Sequence, residues 1–313
     1  MTGEPEVLIR PLERQDLPEA QRIFAVAFGT FLGLPDPSAF MRDRDLIGTR
    51  FVADPRGALA ANSSGELIGS VFAANWGSLG FFGPLTIRPD HWDRGAGKKL
   101  LAGVVDIFDS WNALHRGLFT FPHSTKHVHL YQKFDFWPRF LTAVMSKPAI
   151  RSDAEVPWSK FSDVPETGMP AALANARQAA GSVLEGLDLT IEILSVNSQK
   201  LGDTILLWND SGLEAFAICH CGVGTEAGGD VCYVKFAMAR SAPAFDRLLS
   251  VCVAFAVSRG VSRLEAGVNL GRFDAYRHML RRGFRTQLQG VAMHYKNDPG
   301  YSRPDAFVID DWR

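Results

Sequence analysis

Apolar residues recur along the first half of the chain with two spacings, one typical of strands and the other typical of helices. Strand-like runs occupy residues 6–12, 57–76, 78–89 and 117–122. Helical spacing is found at residues 17–28, 97–111 and 125–134. Turn residues 63–65, inside the second strand-like run, predict a β-hairpin. This order, with the hairpin first and a βαβ crossover last, predicts one mixed α/β domain.

Local signals set the expected ends of several of these elements. We expect Asp16 to cap the helix 17–28 and Pro89 to stop the strand 78–89. The acidic, proline-rich loop after the first helix is expected to lead into a short helix at residues 41–47.

The same order of elements returns in the second half of the chain. Residues 148–168 are rich in proline and lack periodicity, so they are predicted to form a linker. A helix, a strand pair, a third strand and a helix capped by Ser241 follow, and then strand, helix and strand again. Two halves with one order imply an internal duplication. We therefore predict two domains, residues 1–147 and 148–313, and an apolar tail that packs as a final strand.

Composition narrows the class of protein. Of the 313 residues, 46% are hydrophobic and 21% are charged, which is typical of soluble globular proteins. The net charge of -1 gives no electrostatic reason to expect nucleic acid or an anionic membrane as a partner. The acidic N-terminus lacks the apolar core of a signal peptide, so a cytoplasmic location is expected. Four cysteines, all in the second half, are expected to be buried thiols, and no metal site is predicted.

The stretch DHWDRGAGKKLL, residues 90–101, places an arginine, two glycines and two lysines directly before a helix. A glycine-rich turn into a helix points successive backbone N–H groups at one spot, where the helix dipole also favours an anion. Arg94, Lys98 and Lys99 add positive side chains there. A tight packing turn that binds nothing is the alternative interpretation.

Two familiar phosphate-binding motifs do not fit this stretch. A P-loop requires a glycine where Trp92 stands and a serine or threonine where Lys99 stands. A dinucleotide fingerprint requires a third glycine, but Leu100 occupies that position, and the loop follows four strands rather than the first one.

Residues 85–101, LTIRPDHWDRGAGKKLL, resemble the coenzyme A-binding motif of the GNAT superfamily of N-acetyltransferases. Ile87 and Pro89 match its V-x-P segment, and Gly95 and Gly97 match its glycines. Trp92 departs from the family's Gln/Arg position. Downstream, HLYQKFDF resembles the family's LYEKLGF segment, with Tyr131 at its tyrosine. The resemblance covers residues 7 to about 145 and implies two tandem GNAT-like acyl-CoA N-acyltransferase domains of mixed α/β fold.

The resemblance implies a site for acetyl-CoA and a role for each matched residue. The diphosphate would rest on backbone N–H groups of the loop, and the pantetheine arm would run beside the strand before it, which splays from its neighbour. Tyr131 would protonate the departing thiolate, whereas a purely structural tyrosine is the alternative. The cofactor-binding residues so implied are Leu85, Thr86, Ile87, Arg94, Gly95, Ala96, Gly97 and Lys98.

The base that deprotonates the acceptor amine is not evident, because the strand before the loop carries no acid. Asp36, Asp43 and Asp45 are candidates for binding a cationic acceptor, with a solvated capping role as the alternative. His123 is a candidate proton relay or a structural histidine. His127 and His129 lack the i, i+4 spacing of a metal pair.

The second half resembles the same downstream segment, with Asn269 and Tyr276 at its Asn and Tyr positions. Its loop has no glycine, and Pro243 removes an N–H donor, so we expect this half to have lost coenzyme A binding and Tyr276 to be structural. It is expected to shape the acceptor pocket or to replace a dimer partner.

These features together predict transfer of an acetyl group from acetyl-CoA to a primary amine of a small molecule or peptide, by a monomer or homodimer. A non-catalytic acyl-CoA-binding or regulatory protein is one alternative. A structural α/β protein whose glycine turn binds nothing is the other.

Overall fold

Residues 6–150 and 156–313, which the computed structural model describes, form thirteen strands and eight α-helices. The strands are β1 Val7–Pro11, β2 Ala58–Ser63, β3 Glu66–Trp76, β4 Leu79–Ile87, β5 His115–Thr120, β6 Phe136–Pro148, β7 Ser159–Lys160, β8 Gly202–Asn209, β9 Gly212–Gly222, β10 Gly228–Ala239, β11 Arg263–Asn269, β12 Arg285–Tyr295 and β13 Phe307–Ile309. The helices are α1 Leu17–Phe31, α2 Leu46–Ala53, α3 Ala96–Ser110, α4 Thr125–Gln132, α5 Met169–Gly181, α6 Thr190–Gln199, α7 Ala242–Ser258 and α8 Phe273–Arg281. The predictions for the extreme N-terminus and for part of the linker fall on residues outside the described ranges.

All thirteen strands join one mixed sheet. Twelve follow the order β1-β2-β3-β4-β5-β12-β6-β11-β10-β9-β8-β7, and β13 pairs with β10 off this path. Most neighbours are antiparallel, whereas β4 with β5 and β10 with β11 are parallel. Each parallel pair is joined by one crossover helix, α3 in the first half and α7 in the second.

The two halves exchange their last strands at the middle of the sheet. Strand β12, from the second half, pairs with β5 of the first half, with Val291 opposite Thr120. Strand β6, from the first half, pairs with the whole of β11, from Asn269 opposite Thr142 to Arg263 opposite Pro148. The sheet therefore runs without a break through both halves, and each half is completed by the other.

Helix α3 illustrates how the apolar pattern builds the core. Its Leu100, Leu101, Val104 and Phe108 are all fully buried, because the i, i+4 spacing aligns them on the face that meets the sheet. Helix α7 plays the same part in the second half. The hairpin at residues 63–65, the final strand β13 and the Ser241 cap of α7 are confirmed, since the Ser241 side chain accepts a hydrogen bond from the Ala244 N–H.

Several local expectations were wrong. Asp16 does not cap α1, because its carboxylate accepts instead from the Glu13 N–H and from Arg10, in the turn before the helix. The short helix expected at residues 41–47 lies later, at Leu46–Ala53, where the Asp45 side chain caps it. Strand β6 and helix α6 were not predicted. Prolines interrupt the apolar pattern of β6, and the apolar face of α6 is weak, so neither segment shows a clear period.

Candidate active site

A fork opens between two parallel strands in the middle of the first half. Strand β4 pairs with β5 only from Leu79 to Phe82. Immediately after Phe82, residues Gly83 and Pro84 form a bulge against β3, where two residues of β4 oppose one of its neighbour. Beyond the bulge, residues 85–87 pair with β3 alone. Their other edge faces a cavity.

The loop that follows β4 turns sharply into α3. Gly95 has φ +81°, which an L side chain rarely adopts, so glycine is required there. Gly95 is the N-cap of α3 and provides no side chain to occupy the first N–H groups of the helix. Backbone donors at a helix start lack intrahelical partners, and the helix dipole makes this position favourable for an anion. The predicted N–H cradle is therefore present at the start of α3.

Trp92 stabilises this loop and is also part of the cavity wall. Its indole Nε1 donates to the Ile87 carbonyl oxygen at 2.7 Å, which fastens the loop to the end of β4. Asp93 lies 2.6 Å from the Lys126 ammonium, which ties the loop to α4. Lys99 points away from the loop, because its Nζ donates to the Val7 carbonyl oxygen.

The fork, the loop and α4 enclose one cavity of about 840 Å³. Eight of the nine predicted site residues line it: Leu85, Thr86, Ile87, Gly95, Ala96, Gly97, Lys98 and Tyr131. Arg94, by contrast, is exposed and is not part of the cavity wall. A single continuous space thus joins the N–H cradle to the open strand edge.

Two observations test whether the wall suits a long, partly polar ligand. The edge of residues 85–87 that faces away from β3 has no strand partner among the described residues, so its backbone groups can pair with an amide passing along it. A Cβ built on Gly97 would lie 3.8 Å from both Leu85 and Leu130 and therefore project into the passage. The residues present fit a pantetheine arm followed by a diphosphate.

Tyr131 lies on α4 with its ring packed edge-on against Phe82, at a centroid distance of 5.7 Å. Burial raises the pKa of Tyr131 to about 12, although a hydrogen bond with Thr120 opposes the rise. The phenol is therefore protonated at neutral pH, as a proton donor must be. Tyr131 lines the cavity beside the residues where the strands part.

The acidic residues proposed for the acceptor side serve other purposes. Asp36 accepts from the Ser38 N–H, and Asp45 accepts from the Gly48 N–H, so both cap short helical turns. Asp43 accepts from the Gly229 N–H of the second half. The alternative capping interpretation fits Asp36 and Asp45, but Asp43 caps no helix. His123 lines the cavity and stacks on Phe31 with a centroid separation of 5.8 Å.

The second half contributes cavity residues that were not predicted individually. Glu226, Tyr233, Trp312 and Arg313 all line the same space, the last two from the segment after β13. The second half therefore forms part of this cavity wall, while its expected role in an acceptor pocket stays a prediction. One signal was available in the strands that the segment crosses: Gly117 leaves room for the Trp312 ring, and Gly267 leaves room for the Asp311 side chain.

Buried charges connect the two halves at the cavity wall. Both Glu226 oxygens are held, because Arg50 of α2 donates to each of them and the Lys235 ammonium also donates to Oε1 at 2.7 Å. Lys235 also lies 3.0 Å from Glu192. Burial alone would raise the pKa of Glu226, but Arg50 and Lys235 outweigh it and hold that pKa below its ordinary value. Arg50 also donates to the Gly83 carbonyl oxygen at the bulge, so the network anchors the fork.

In the second half, the strand edge that corresponds to residues 85–87 is occupied. Strand β10 pairs with β11 only from Val231 to Val234, as β4 does with β5. Beyond that point β13 pairs with β10, with Ala237 opposite Ile309 and Ala239 opposite Phe307. The chain's own strand thus occupies the edge that stays free in the first half. Tyr276, on the helix that packs against β13, is half-buried against the core.

The thiols Cys219, Cys221, Cys232 and Cys252 are free and buried. Within the described ranges, no group of three or more His, Cys, Asp or Glu side chains has the arrangement of a metal site. Nor does any helix there combine the length and hydropathy needed to cross a membrane.

Comparison with known proteins agrees with this geometry. Residues 20–136 match the family model described as acetyltransferase (GNAT) family. No curated protein matches the sequence. Among solved structures, a Pyrococcus horikoshii protein assigned as an acetyltransferase has a TM-score of 0.69 at 14% identity, covering 98% of this chain and 95% of that one. A GCN5-related N-acetyltransferase from Sphaerobacter thermophilus has a TM-score of 0.56 at 17% identity, covering 94% and 96%.

A tandem GNAT protein from the clavulanic acid biosynthesis pathway has a TM-score of 0.55 at 13% identity, covering 94% of this chain and all of that one. At these identities the structural matches show the fold. The predicted mixed α/β class and the tandem arrangement of two GNAT-like units are confirmed.

Proposed function

We propose that this chain, whose residues 20–136 match the acetyltransferase (GNAT) family model, transfers an acetyl group from acetyl-CoA to a primary amine. One observation carries the proposal: the free N–H groups at the start of α3, the open edge of β4 and the Tyr131 phenol face one cavity. The acceptor is a small molecule or a peptide, and the active species is a monomer or homodimer. The free buried thiols suit a reducing compartment, so we assign the reaction to the cytoplasm.

Each part of the wall has one task in this reaction. The N–H groups of Gly95, Ala96, Gly97 and Lys98 hold the diphosphate, where the α3 dipole favours negative charge. Residues 85–87 receive the pantetheine arm as an added strand, and the unpaired N–H groups of β4 near the bulge stabilise the oxyanion as it forms. Tyr131 donates its proton to the departing thiolate.

The test compares acetyl-CoA binding by wild type and Gly97→Asp. The new carboxylate would project between Leu85 and Leu130 and place a negative charge in the passage, so the thermal stabilisation by acetyl-CoA should be lost. Gly181→Asp is the matched control, because that helical glycine faces open space in α5. It should keep the full thermal shift. Equal shifts in both variants would contradict the proposed cofactor site.

Thiol release separates an enzyme from a mere binder. The proposed transferase releases free coenzyme A faster when primary amines are added, and the amines become acetylated. Acetyl-CoA binding without amine-dependent thiol release would instead support the non-catalytic acyl-CoA-binding alternative.

A further inference from the structure

Among the described residues of the first half, Asp93 is the carboxylate in the cavity wall, and it is paired with Lys126 at the loop before α3. Of the charged groups in the cavity wall, Glu226 is ionised, yet both of its oxygens are held by Arg50 and Lys235. Its lowered pKa makes it a weak proton acceptor. Besides His123, the wall holds a further candidate for the proton relay in the second half of the chain, Tyr233.

Tyr233 and Asp311 form a buried pair, of which Tyr233 is part of the cavity wall. Tyr233 lies on β10 and lines the cavity, and its hydroxyl donates to Asp311 Oδ1 at 3.0 Å. Asp311 lies in the segment after β13, where Gly267 of β11 leaves space for its side chain. Both residues are almost completely buried. A phenol that bonds to a buried carboxylate can pass a proton from a third group to it.

The same segment brings this pair close to the fork. An ideal Cβ on Gly83 would lie 3.7 Å from the Trp312 carbonyl oxygen. Arg50 donates both to the Gly83 carbonyl oxygen and to that of Arg313. The Arg313 guanidinium in turn lies 4.3 Å over the Tyr233 ring. The final segment therefore contacts both Tyr233 and the bulge where the acyl carbon is expected.

We propose that Tyr233 contacts the acceptor amine and relays its proton to Asp311, so that the second half completes the catalytic machinery of the first. This proposal rests on the proposed function. The ammonium N–H proton moves to the Tyr233 oxygen while the Tyr233 proton moves to Asp311. The freed nitrogen lone pair forms the C–N bond, and the thioester carbonyl becomes an oxyanion. The C–S bond then breaks, the thiolate takes the Tyr131 proton, and Tyr131 regains one from the amide nitrogen. Asp311 later releases its proton to solvent.

The burial of Asp311 and the charged groups around it determine its pKa. Burial raises the pKa of Asp311, and the Arg313 guanidinium, 3.1 Å away, only partly offsets this. Glu265 of β11, paired with Arg313 at 2.6 Å, adds to the rise. His220 packs edge-on against Tyr233, and burial lowers the pKa of His220 to about 4, so it is neutral at pH 7. Because Asp311 accepts a proton only when ionised, turnover should increase as pH rises through its raised pKa.

The experiment follows acetyl transfer to two amines across pH. The phenylalanine side of the cavity, Phe24, Phe28 and Phe40, suggests 2-phenylethylamine as a probe. Its difluorinated analogue, 2,2-difluoro-2-phenylethylamine, has nearly the same shape, but its ammonium is more acidic. Tyr233→Phe and Asp311→Asn should lower kcat with 2-phenylethylamine about 100-fold. The loss of kcat should be much smaller with the fluorinated amine, and the affinity for acetyl-CoA should be unchanged. The rise in turnover with pH that is attributed to Asp311 should disappear in both variants.

Tyr301→Phe is the matched control. Tyr301 also donates to a buried aspartate of the same segment, Asp310 at 2.5 Å, but it lies outside the cavity wall. This variant should keep the wild-type pH profile, which separates proton relay from loss of folding. An active wild type together with a Tyr233→Phe variant of unchanged profile, or with equal losses for both amines, would overturn the relay alone. A wild type that binds acetyl-CoA yet acetylates no primary amine in a panel that includes both probes would overturn the proposed function and the relay together.

Discussion

The two halves of the chain have the same order of elements but differ in what lies beside the central strand of each. In the first half, β4 leaves β5 at a bulge, and its edge over residues 85–87 faces an open cavity. In the second half, β10 leaves β11 at the corresponding point, and β13 pairs with its edge. A duplicated fold can thus keep its architecture while one copy loses the space for a ligand.

The two crossover helices, α3 and α7, also differ in whether their first backbone N–H groups are left free. Helix α3 begins at Gly95, whose positive φ and missing side chain leave the first N–H groups free. Helix α7 begins after Ser241, which takes the Ala244 N–H, and Pro243 has no N–H to offer. The residues that would bind a phosphate in one copy are replaced by residues that satisfy the helix internally in the other.

The copy whose strand edge is filled by β13 still contributes to the other copy. Strand β12 completes the first half of the sheet, and Glu226 neutralises Arg50, which holds the Gly83 bulge. The comparison therefore describes a division of labour within one continuous sheet.

The largest expected effect comes from a substitution that breaks the charge network of Arg50, Glu226 and Lys235 between the halves. Glu226→Ala would leave Arg50 and Lys235 buried without their shared anion, which should lower the free energy of unfolding by about 3–5 kcal/mol. Urea unfolding measures the change. Glu19→Ala removes a partly exposed i, i+3 pair with Arg22 and should cost at most about 0.5 kcal/mol. Similar losses in the free energy of unfolding for the two variants would mean that this network does not stabilise the contact between the halves.

The next effect compares the two tyrosines at matching positions. Tyr131→Phe removes the proposed proton donor and should lower kcat about 100-fold, with little change in acetyl-CoA affinity. Tyr276→Phe, in the closed copy, should leave both quantities near their wild-type values. Steady-state thiol release and a binding titration measure both variants. Equal losses in turnover would show that the second copy takes part in the chemistry at that position.

The smallest effect concerns the capped helix of the closed copy. Ser241→Ala removes the side-chain acceptor of the Ala244 N–H and should lower the free energy of unfolding by about 1 kcal/mol. Freeing that N–H should not create a second acetyl-CoA site, because β13 still fills the strand edge. Thermal unfolding and the stoichiometry of binding check both statements, and a second equivalent of bound acetyl-CoA would refute the role given to β13.

Local features of the first half could be predicted from the sequence because they depend on neighbouring residues. The glycine-rich start of α3, the hairpin at residues 63–65 and the apolar face of α3 all follow from short spacings. The same is true of the loss of glycines before α7. Arg94 shows the limit, since its position in the motif does not determine whether it faces the cavity.

Long-range pairing could not be predicted in this way. Strand β6 contains prolines and an irregular apolar pattern, and its partner β11 lies more than one hundred residues away in the sequence. The contributions of Tyr233 and Asp311 depend on that exchange and on the path of the final segment. Only the strand glycines Gly117 and Gly267, which have no room for a Cβ, hinted that another segment crosses the sheet.

A crystal structure of the protein with acetyl-CoA would test most directly whether one fork is open and the other closed by the chain itself. We expect the diphosphate on the N–H groups at the start of α3, the pantetheine arm beside residues 85–87, and β13 still paired with β10. Acetyl-CoA bound beside β10 with β13 displaced, or an empty β4–β5 fork at a saturating concentration, would contradict this division between the two copies.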